Sequence, residues 1–260
     1  MIARVPIRKG SVELAASVVG EGPPLVWVAG LGDDLASWNG QAERFADRYT
    51  CVTFDNRGCG ESSTPEGPYT TEDMAIDVHE LVRTLGLGPA RVVGSSMGGA
   101  ICQAWAAQYP DDVTALVLTN SWAAPTAQTN LLFDHWIALA AAGEGRRLAE
   151  AAALFSFSPN FLQKMASEDG SLELADIPRL RGFEAAAQAC RTHDARGYLD
   201  LVLCPTLVLG GEQDILTPLA HSHELVRLIR DARLETIDSG HMIFSEQPLE
   251  FAAVVGAFFR

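Results

Sequence analysis

Long apolar runs are missing from this chain of 260 residues, and basic residues are scarce. No stretch reaches the roughly 18 consecutive apolar residues that a membrane span requires. The chain has 19 lysines and arginines against 33 aspartates and glutamates, which gives a formal net charge of −14 at pH 7. A chain this acidic, with no basic stripe, repels a phosphate backbone. We therefore expect neither a membrane nor a nucleic acid as a partner.

Cysteines are also few, and they never occur as C-x-x-C: Cys51, Cys59, Cys102, Cys190 and Cys204. An odd number at irregular spacing is not typical of a disulfide framework or of a zinc site. We predict reduced thiols, no metal and no other cofactor. The N-terminal segment is charged early and lacks the apolar block of a secretory signal, so we expect a cytoplasmic protein. The sequence does not exclude self-association into a homo-oligomer.

Apolar segments rich in β-formers alternate with segments of helical period. Four of them are predicted as parallel strands: 25–29, 50–54, 91–94 and 114–120. The clearest helix between them is 71–88, with Thr70 or Thr71 as its cap and Gly86 near its end. Two antiparallel strands joined at Lys9-Gly10 precede this part. The alternation predicts an α/β fold with a mostly parallel sheet.

The alternation stops at residue 121 and returns near residue 204. The residues between are rich in alanine and helical in period, with no convincing strand. Four elements follow: a strand within 203–214, a helix near 218–230, a strand at 233–239 and a helix that runs to Phe259. We predict a core domain formed by residues 1–120 and 204–260, and a helical lid formed by residues 121–203.

The stretch VVGSSMGGA contains the pattern G-x-S-x-G between a predicted strand and a predicted helix. A serine on so tight a turn needs residues without side chains two positions before and after it, so that strand and helix can approach. Ser96 has Gly94 and Gly98 at those positions, whereas Ser95 has larger residues. We predict Ser96 as a nucleophile at a helix N-terminus, where N–H groups stabilise an oxyanion.

A serine hydroxyl becomes a good nucleophile when a histidine takes its proton and an acid orients that histidine. His241 lies in a glycine-containing loop after the last predicted strand. Asp214 follows the seventh strand and is the predicted acid, and Glu212 is the weaker candidate because it lies nearer the strand. Three other histidines lie in predicted helices, where we expect solvated side chains: His79, His221 and His223.

At this point the sequence resembles the α/β-hydrolase family over nearly the whole chain outside the insertion. The resemblance rests on four segments: VWVAGLGDDLASW, FDNRGCGES, GGEQDILTP and SGHMIFSEQP. It implies an eight-stranded, mostly parallel sheet flanked by helices, with the lid inserted after strand 6. It also implies an oxyanion hole formed by the backbone N–H groups of Leu31 and Met97. Ala29-Gly30 replaces the family's usual His-Gly pair, which we expect to alter loop rigidity more than chemistry.

One pair of charged residues could be mistaken for catalytic groups. Asp55 and Arg57, in the turn FDNRG, are predicted to form a structural ion pair and to take no part in catalysis.

Aromatic residues of the lid are candidates for the pocket lining. We choose Trp122, Trp136 and Phe157 as the substrate-binding residues among six: Trp122, Phe133, Trp136, Phe155, Phe157 and Phe161. An anionic substrate would need a cation, and five arginines lie in this region: Arg146, Arg147, Arg179, Arg181 and Arg191.

Within the family, the segments AGLGDDLASW, NSW and ALFSFSPNFL resemble the branch of 3-oxoadipate enol-lactonases and aminoacrylate hydrolases. The resemblance implies a serine hydrolase that uses Ser96, His241 and Asp214 on a small ester, lactone or related acyl substrate. Hydrolases of C–N or C–C bonds stay open, although the C–C enzymes typically carry tryptophan after the histidine, where this chain has Met242. A ligand-binding or receptor protein of the same fold is the non-enzymatic alternative.

Overall fold

The computed structural model describes residues 2–260, and its strands form one sheet. The eight strands are β1 (Ile2–Ile7), β2 (Val12–Val19), β3 (Pro24–Val28), β4 (Thr50–Phe54), β5 (Ala90–Ser95), β6 (Val113–Thr119), β7 (Thr206–Gly211) and β8 (Ala232–Ile237). Their order is β1-β2-β4-β3-β5-β6-β7-β8. β2 pairs antiparallel with both β1 and β4, and all the other pairs are parallel. The predicted eight-stranded, mostly parallel sheet is confirmed.

Helices connect the parallel strands and flank the sheet. Residues 2–260 contain ten α-helices: α1 (Asn39–Phe45), α2 (Thr71–Thr84), α3 (Met97–Gln108), α4 (Ala127–Ala141), α5 (Gly145–Ser156), α6 (Pro159–Met165), α7 (Leu180–Thr192), α8 (Leu219–Leu228), α9 (Ile243–Glu246) and α10 (Pro248–Phe258). Among these residues, no helix has both the length and the apolar character needed to cross a bilayer.

The bounds of α2 follow from its local sequence. The hydroxyl of Thr70 accepts the N–H of Asp73 at 3.0 Å, so Thr70 is the N-cap. Gly86, with φ +70°, adopts the left-handed conformation that ends helices, and the last helical residue is Thr84. The predicted helix was four residues too long at this end. Apolar residues continue with helical spacing after the backbone has left the helical conformation.

The sheet carries an apolar core on both faces. Successive residues of β3 alternate between two buried clusters, with Val26 and Val28 in one and Leu25 and Trp27 in the other. The first cluster continues into α2, α3 and the helices between β6 and β7, and the second continues into α1 and α10. Burial on both faces explains why the central strands are almost continuously apolar in sequence.

Four helices, α4 to α7, lie between β6 and β7, where the sequence predicts a helical insertion. Residues 166–179 form neither helix nor strand, so the block is less helical than predicted. Serine, aspartate, glycine and proline in this segment favour turns and extended backbone. Trp122, Phe133 and Trp136 of the insertion are buried in the same apolar cluster as β3, so the insertion packs directly on the core.

The predicted Asp55–Arg57 ion pair is wrong. The guanidinium of Arg57 binds both carboxylate oxygens of Asp77 on α2, at 2.6 and 2.7 Å. Asp55 instead accepts the backbone N–H groups of Leu35 and Glu61, each at 2.7 Å. The chain turns sharply after β4, so two side chains close in sequence reach different elements, and the buried pair joins this turn to α2.

The helical histidines are also less solvated than predicted. His221 is buried, and His79 stacks on Tyr109 with ring centroids 3.8 Å apart while its Nδ1 lies 2.5 Å from Asp112. His223 is exposed, as expected. His79 and His221 each lie on the face of the helix that packs against a neighbouring element. The helical period of the sequence alone does not show this.

His193, which follows α7, belongs to a buried polar chain that joins the insertion to the core. Its Nδ1 lies 2.9 Å from the hydroxyl of Thr71, and its Nε2 lies 3.4 Å from Oε1 of Gln103. Gln103 Nε2 donates to the hydroxyl of Ser121 at 3.2 Å, and that hydroxyl donates to the carbonyl of Ser96 at 3.0 Å. Burial lowers the pKa of His193 to about 4, so the ring is neutral near pH 7.

We expect the free energy of unfolding to fall as the pH drops from 6.5 to about 4. The unfolded state takes up a proton on this histidine near pH 6.5, while the folded state resists it until about pH 4, so acid favours unfolding. The contribution of His193 over this window is about 3 kcal/mol. Urea unfolding at several pH values measures it, and His193→Gln should flatten the slope. An equal slope in both proteins would contradict the assignment.

Candidate active site

Ser96 stands between the end of β5 and the start of α3, with φ 55° and ψ −119°. This conformation is strained for a residue with a side chain, and close packing enforces it. A Cβ added to Gly94 would lie 2.5 Å from the carbonyl oxygen of Gly98, and one added to Gly98 would collide with the carbonyl oxygen of Val28. The predicted strand–turn–helix is therefore present, and only glycine fits at either flanking position.

His241 and Asp214 are joined by a short hydrogen bond, with Nδ1 2.7 Å from Oδ2. The other oxygen, Oδ1, accepts the N–H groups of Leu216 and Thr217 at 2.8 and 2.9 Å, and the Thr217 hydroxyl lies 2.7 Å from Oδ2. Burial alone would raise the pKa of Asp214, but the charge of His241 and these hydrogen bonds outweigh it and hold the pKa below its ordinary value. The carboxylate therefore holds the imidazole of His241 through Nδ1.

The second nitrogen of His241 faces the same cavity as Ser96. Nε2 is buried and has no hydrogen-bond partner among residues 2–260. Ser96 and His241 both line a cavity of about 290 Å³. The described chain contains no hydrogen bond between the two side chains, although such bonds commonly tighten only when substrate is bound. Nε2 is thus the imidazole nitrogen that the described residues leave without a partner.

The structure separates the two acid candidates. Glu212 is exposed, and its carboxylate accepts the hydroxyl of Thr236 at 2.7 Å on the outer strand β8. Asp214, two residues further along the same loop, is buried against His241. The loop after β7 turns between these positions, so only Asp214 contacts the imidazole.

Asn120, at the end of β6, is a site residue that the sequence analysis missed. Its side-chain Nδ2 donates to the carbonyl of His241 at 2.5 Å, and its Oδ1 accepts the N–H of Gly211 at 2.8 Å. It adopts φ 46°, a conformation that asparagine tolerates better than most residues. One amide therefore links the histidine loop to the end of β7. The sequence signal is the position of Asn120 at the end of a predicted strand.

Of the two predicted oxyanion donors, Met97 directly follows Ser96 in the chain and Leu31 lines the same cavity as Ser96. Met97 is the first residue of α3. In the described chain, the N–H of Leu31 has no backbone acceptor, and an N–H at the first position of a helix has none within the helix. The side chain of Asn56 donates to the carbonyl of Ala29 at 3.0 Å and so holds the loop that carries Leu31.

The three aromatic residues chosen for substrate binding, Trp122, Trp136 and Phe157, all line the cavity. Phe133 lines it as well. Phe155 instead lines a groove on the outer surface, and Phe161 stacks on Phe157 with ring centroids 5.2 Å apart. The walls opposite Ser96 are therefore largely aromatic and apolar, an environment suited to the carbon chain of a small ligand.

We expect Gly98→Ala to destabilise the protein strongly, by about 3 kcal/mol or more, because the added methyl group collides with the backbone of β3. Gly88→Ala is the matched control, since its added Cβ meets nothing within 4 Å and its backbone is not left-handed. Urea unfolding of both variants compares the two sites. If Gly98→Ala were as stable as Gly88→Ala, α3 would not be held as closely to the sheet as described.

Comparison with known proteins agrees with this architecture. The family model of the alpha/beta hydrolase fold matches residues 23–248. A 3-oxoadipate enol-lactonase of Acinetobacter baylyi is 31% identical over 246 residues, covering 92% of this chain and 89% of that protein. A protein of Caulobacter sp. (strain K31), named as a candidate carbamate hydrolase, is 30% identical over 235 residues, covering 87% of each chain.

Solved structures give the same result. The enol-lactonase of Burkholderia xenovorans LB400 superposes with a TM-score of 0.89 at 26% identity, covering 99% of each chain. A thermophilic esterase of Thermogutta terrifontis, solved with malate bound, superposes with a TM-score of 0.87 at 27% identity, covering 100% of this chain and 98% of that one. These relatives identify an enzyme of the hydrolase class. The chain belongs to the α/β-hydrolase fold family.

Proposed function

We propose that the protein is a serine hydrolase that cleaves small esters, lactones or related acyl compounds with Ser96, His241 and Asp214. The observation that carries this proposal is the pairing of His241 Nδ1 with the buried Asp214 at 2.7 Å, with Nε2 unpaired on the cavity that Ser96 also lines. Such an arrangement directs a base at one hydroxyl and keeps that base in a single tautomer.

In this proposal, Ser96 Oγ attacks the substrate carbonyl while His241 Nε2 takes its proton. Asp214 stabilises the imidazolium that forms, without itself taking the proton. The N–H groups of Leu31 and Met97 bind the oxygen that becomes negative, aided by the positive end of α3. His241 then protonates the leaving group, and water releases the acyl group from Ser96 by the reverse proton transfers.

The helices α4 to α7 act as a lid in this proposal. They supply aromatic walls to the cavity, whereas the three reacting side chains belong to loops that follow β5, β7 and β8. The lid therefore sets the shape and dryness of the site without supplying a group that reacts. Relatives named for lactone and carbamate hydrolysis support an acyl substrate and keep C–N cleavage as the second candidate.

A fluorophosphonate label tests the nucleophile directly. We expect stoichiometric labelling of the wild-type protein at Ser96 together with turnover of a short p-nitrophenyl ester. Ser96→Ala should lose labelling and at least about 10³-fold in kcat/KM, because the remaining groups cannot form the acyl intermediate. Circular dichroism of the variant checks that it is folded. A folded Ser96→Ala that keeps most of the activity would rule out the proposed mechanism.

The acid is tested by a pair of amide substitutions in one loop. Asp214→Asn should reduce kcat by about 10³-fold or more, because the neutral amide neither fixes the tautomer of His241 nor stabilises its charge. Glu212→Gln is the matched control and should stay within about threefold of wild type, since its carboxylate is exposed and accepts a hydrogen bond from Thr236. Greater damage from Glu212→Gln would transfer the role of the acid to that residue.

A further inference from the structure

The cavity beside Ser96 contains a carboxylate and no cation. Asp33 lines the cavity, and it is the only acidic residue in the lining. Within residues 2–260, no lysine or arginine lines this cavity, and the one basic side chain there is His241, which Asp214 already engages. Among the described residues, the charged side chain that lines the cavity besides His241 is therefore negative.

The five arginines expected as partners of an anionic substrate are all engaged elsewhere or lie outside the cavity. Arg146 and Arg191 pair with the surface carboxylates Glu150 and Asp134, at 3.0 and 2.5 Å. Arg179 donates to a backbone carbonyl in the turn after β4. Neither of the remaining two lines the cavity. An acyl compound with a free carboxylate would therefore meet Asp33 with nothing to balance its charge.

The loop after β3 folds Asp33 back over the oxyanion segment. Its backbone N–H lies 3.4 Å from the carbonyl of Gly30, and the thiol of Cys59 contacts its carbonyl at 3.1 Å. A Cβ on Gly30 would lie 3.0 Å from Asp33 Oδ2 and 3.4 Å from Cβ of Ser96. The carboxylate and the nucleophile thus flank the same glycine. Among the described residues, the carboxylate of Asp33 forms no ion pair and accepts no hydrogen bond from a side chain.

A partly buried carboxylate without a charged partner costs free energy unless something else compensates it. Backbone contacts hold the turn, and a hydrogen bond from the N–H of Gly30 only partly compensates the negative charge, since burial still raises the pKa of the carboxylate. This charge also opposes catalysis of a neutral substrate, since negative charge develops on the carbonyl oxygen only a glycine away. Both costs vanish when a cation is bound against Asp33 during the reaction.

We propose that Asp33 selects acyl substrates that carry a cationic nitrogen near the reacting carbonyl, and that the cavity rejects substrates with a free carboxylate. The aromatic walls, Trp136 among them, complement this choice because ring faces attract alkylammonium groups. This inference rests on the proposed ester hydrolysis, and it names the substrate class of the same site.

Three p-nitrophenyl esters of equal chain length test the proposal. Their acyl chains end in a trimethylammonium group, in its uncharged tert-butyl isostere, and in a sulfonate. In the wild type at pH 8, we expect kcat/KM for the cationic ester to exceed that of the neutral isostere by about tenfold, and the sulfonate to fall about tenfold below it. Asp33→Asn should bring the three values of kcat/KM within about threefold of one another, because it removes the charge on which their order depends.

Asp34→Asn is the matched control, because it removes the same charge one residue away. Asp34 is exposed and caps the following 3-10 turn by accepting the N–H of Ala36 at 2.9 Å, a bond that asparagine can replace. We expect this variant to keep the wild-type order of the three esters. A loss of selectivity in both variants would assign the effect to overall charge and overturn the role of Asp33.

The pH dependence gives a readout that a structural role would not change. Burial raises the pKa of Asp33 to about 6, against the opposing charge of His241 and with the like charge of Asp34 adding to it. The ratio of kcat/KM for the cationic and neutral esters should therefore be high at pH 8 and fall as the pH drops through about 6.

The possible results distinguish a failure of the proposed selectivity from a failure of the proposed hydrolysis. If the neutral ester is hydrolysed but the three esters react equally well, the function stands and the selectivity is wrong. The selectivity is also wrong if Asp33→Asn leaves the ratio unchanged. If Ser96 is not labelled and none of the esters is hydrolysed, the proposed hydrolysis itself is wrong, and the substrate class falls with it.

Discussion

The close approach of α3 to the strands β3 and β5 is the constraint on which the rest of the site depends. Gly94 and Gly98 leave no room for a side chain, and the backbone of Ser96 is bent into a strained conformation between them. This packing fixes Ser96 in the turn between the end of β5 and the start of α3. It also brings the first N–H of α3 beside the loop that follows β3, so that both proposed oxyanion donors lie next to the nucleophile.

Polar side chains, each of which holds more than one segment, fix the remaining loops. Asn120 links the end of β7 to the histidine loop, and Thr217 supplies both a hydroxyl and an N–H to the carboxylate of Asp214. These bonds are buried, where an unsatisfied partner would be costly, so the loops have one favoured arrangement. The position of His241 therefore depends on three strand ends rather than on its own loop.

The sheet and the turn that carries Ser96 could be predicted from the sequence, because strand period and glycine spacing are local signals. The sheet was predicted correctly for that reason. Asn120 and the partner of Arg57 were not, since an amide carries no charge signature and the true pairings join residues far apart in the chain. The role of Asp33 could not be predicted for another reason. Asp33 and Asp34 are adjacent in the sequence, and only the backbone turn determines which of the two side chains lines the cavity.

The buried chain from His193 through Gln103 to Ser121 and the carbonyl of Ser96 limits how independently the insertion can diverge. If the lid were exchanged for another one to change the substrate, the junctions would have to lie where the exchange leaves Ser96 undisturbed. Here a junction placed after His193 would replace a residue that supports the turn carrying Ser96, and the incoming lid would have to bring a compatible partner for Gln103. A junction between Thr192, the last residue of α7, and His193 would preserve the partner that exists.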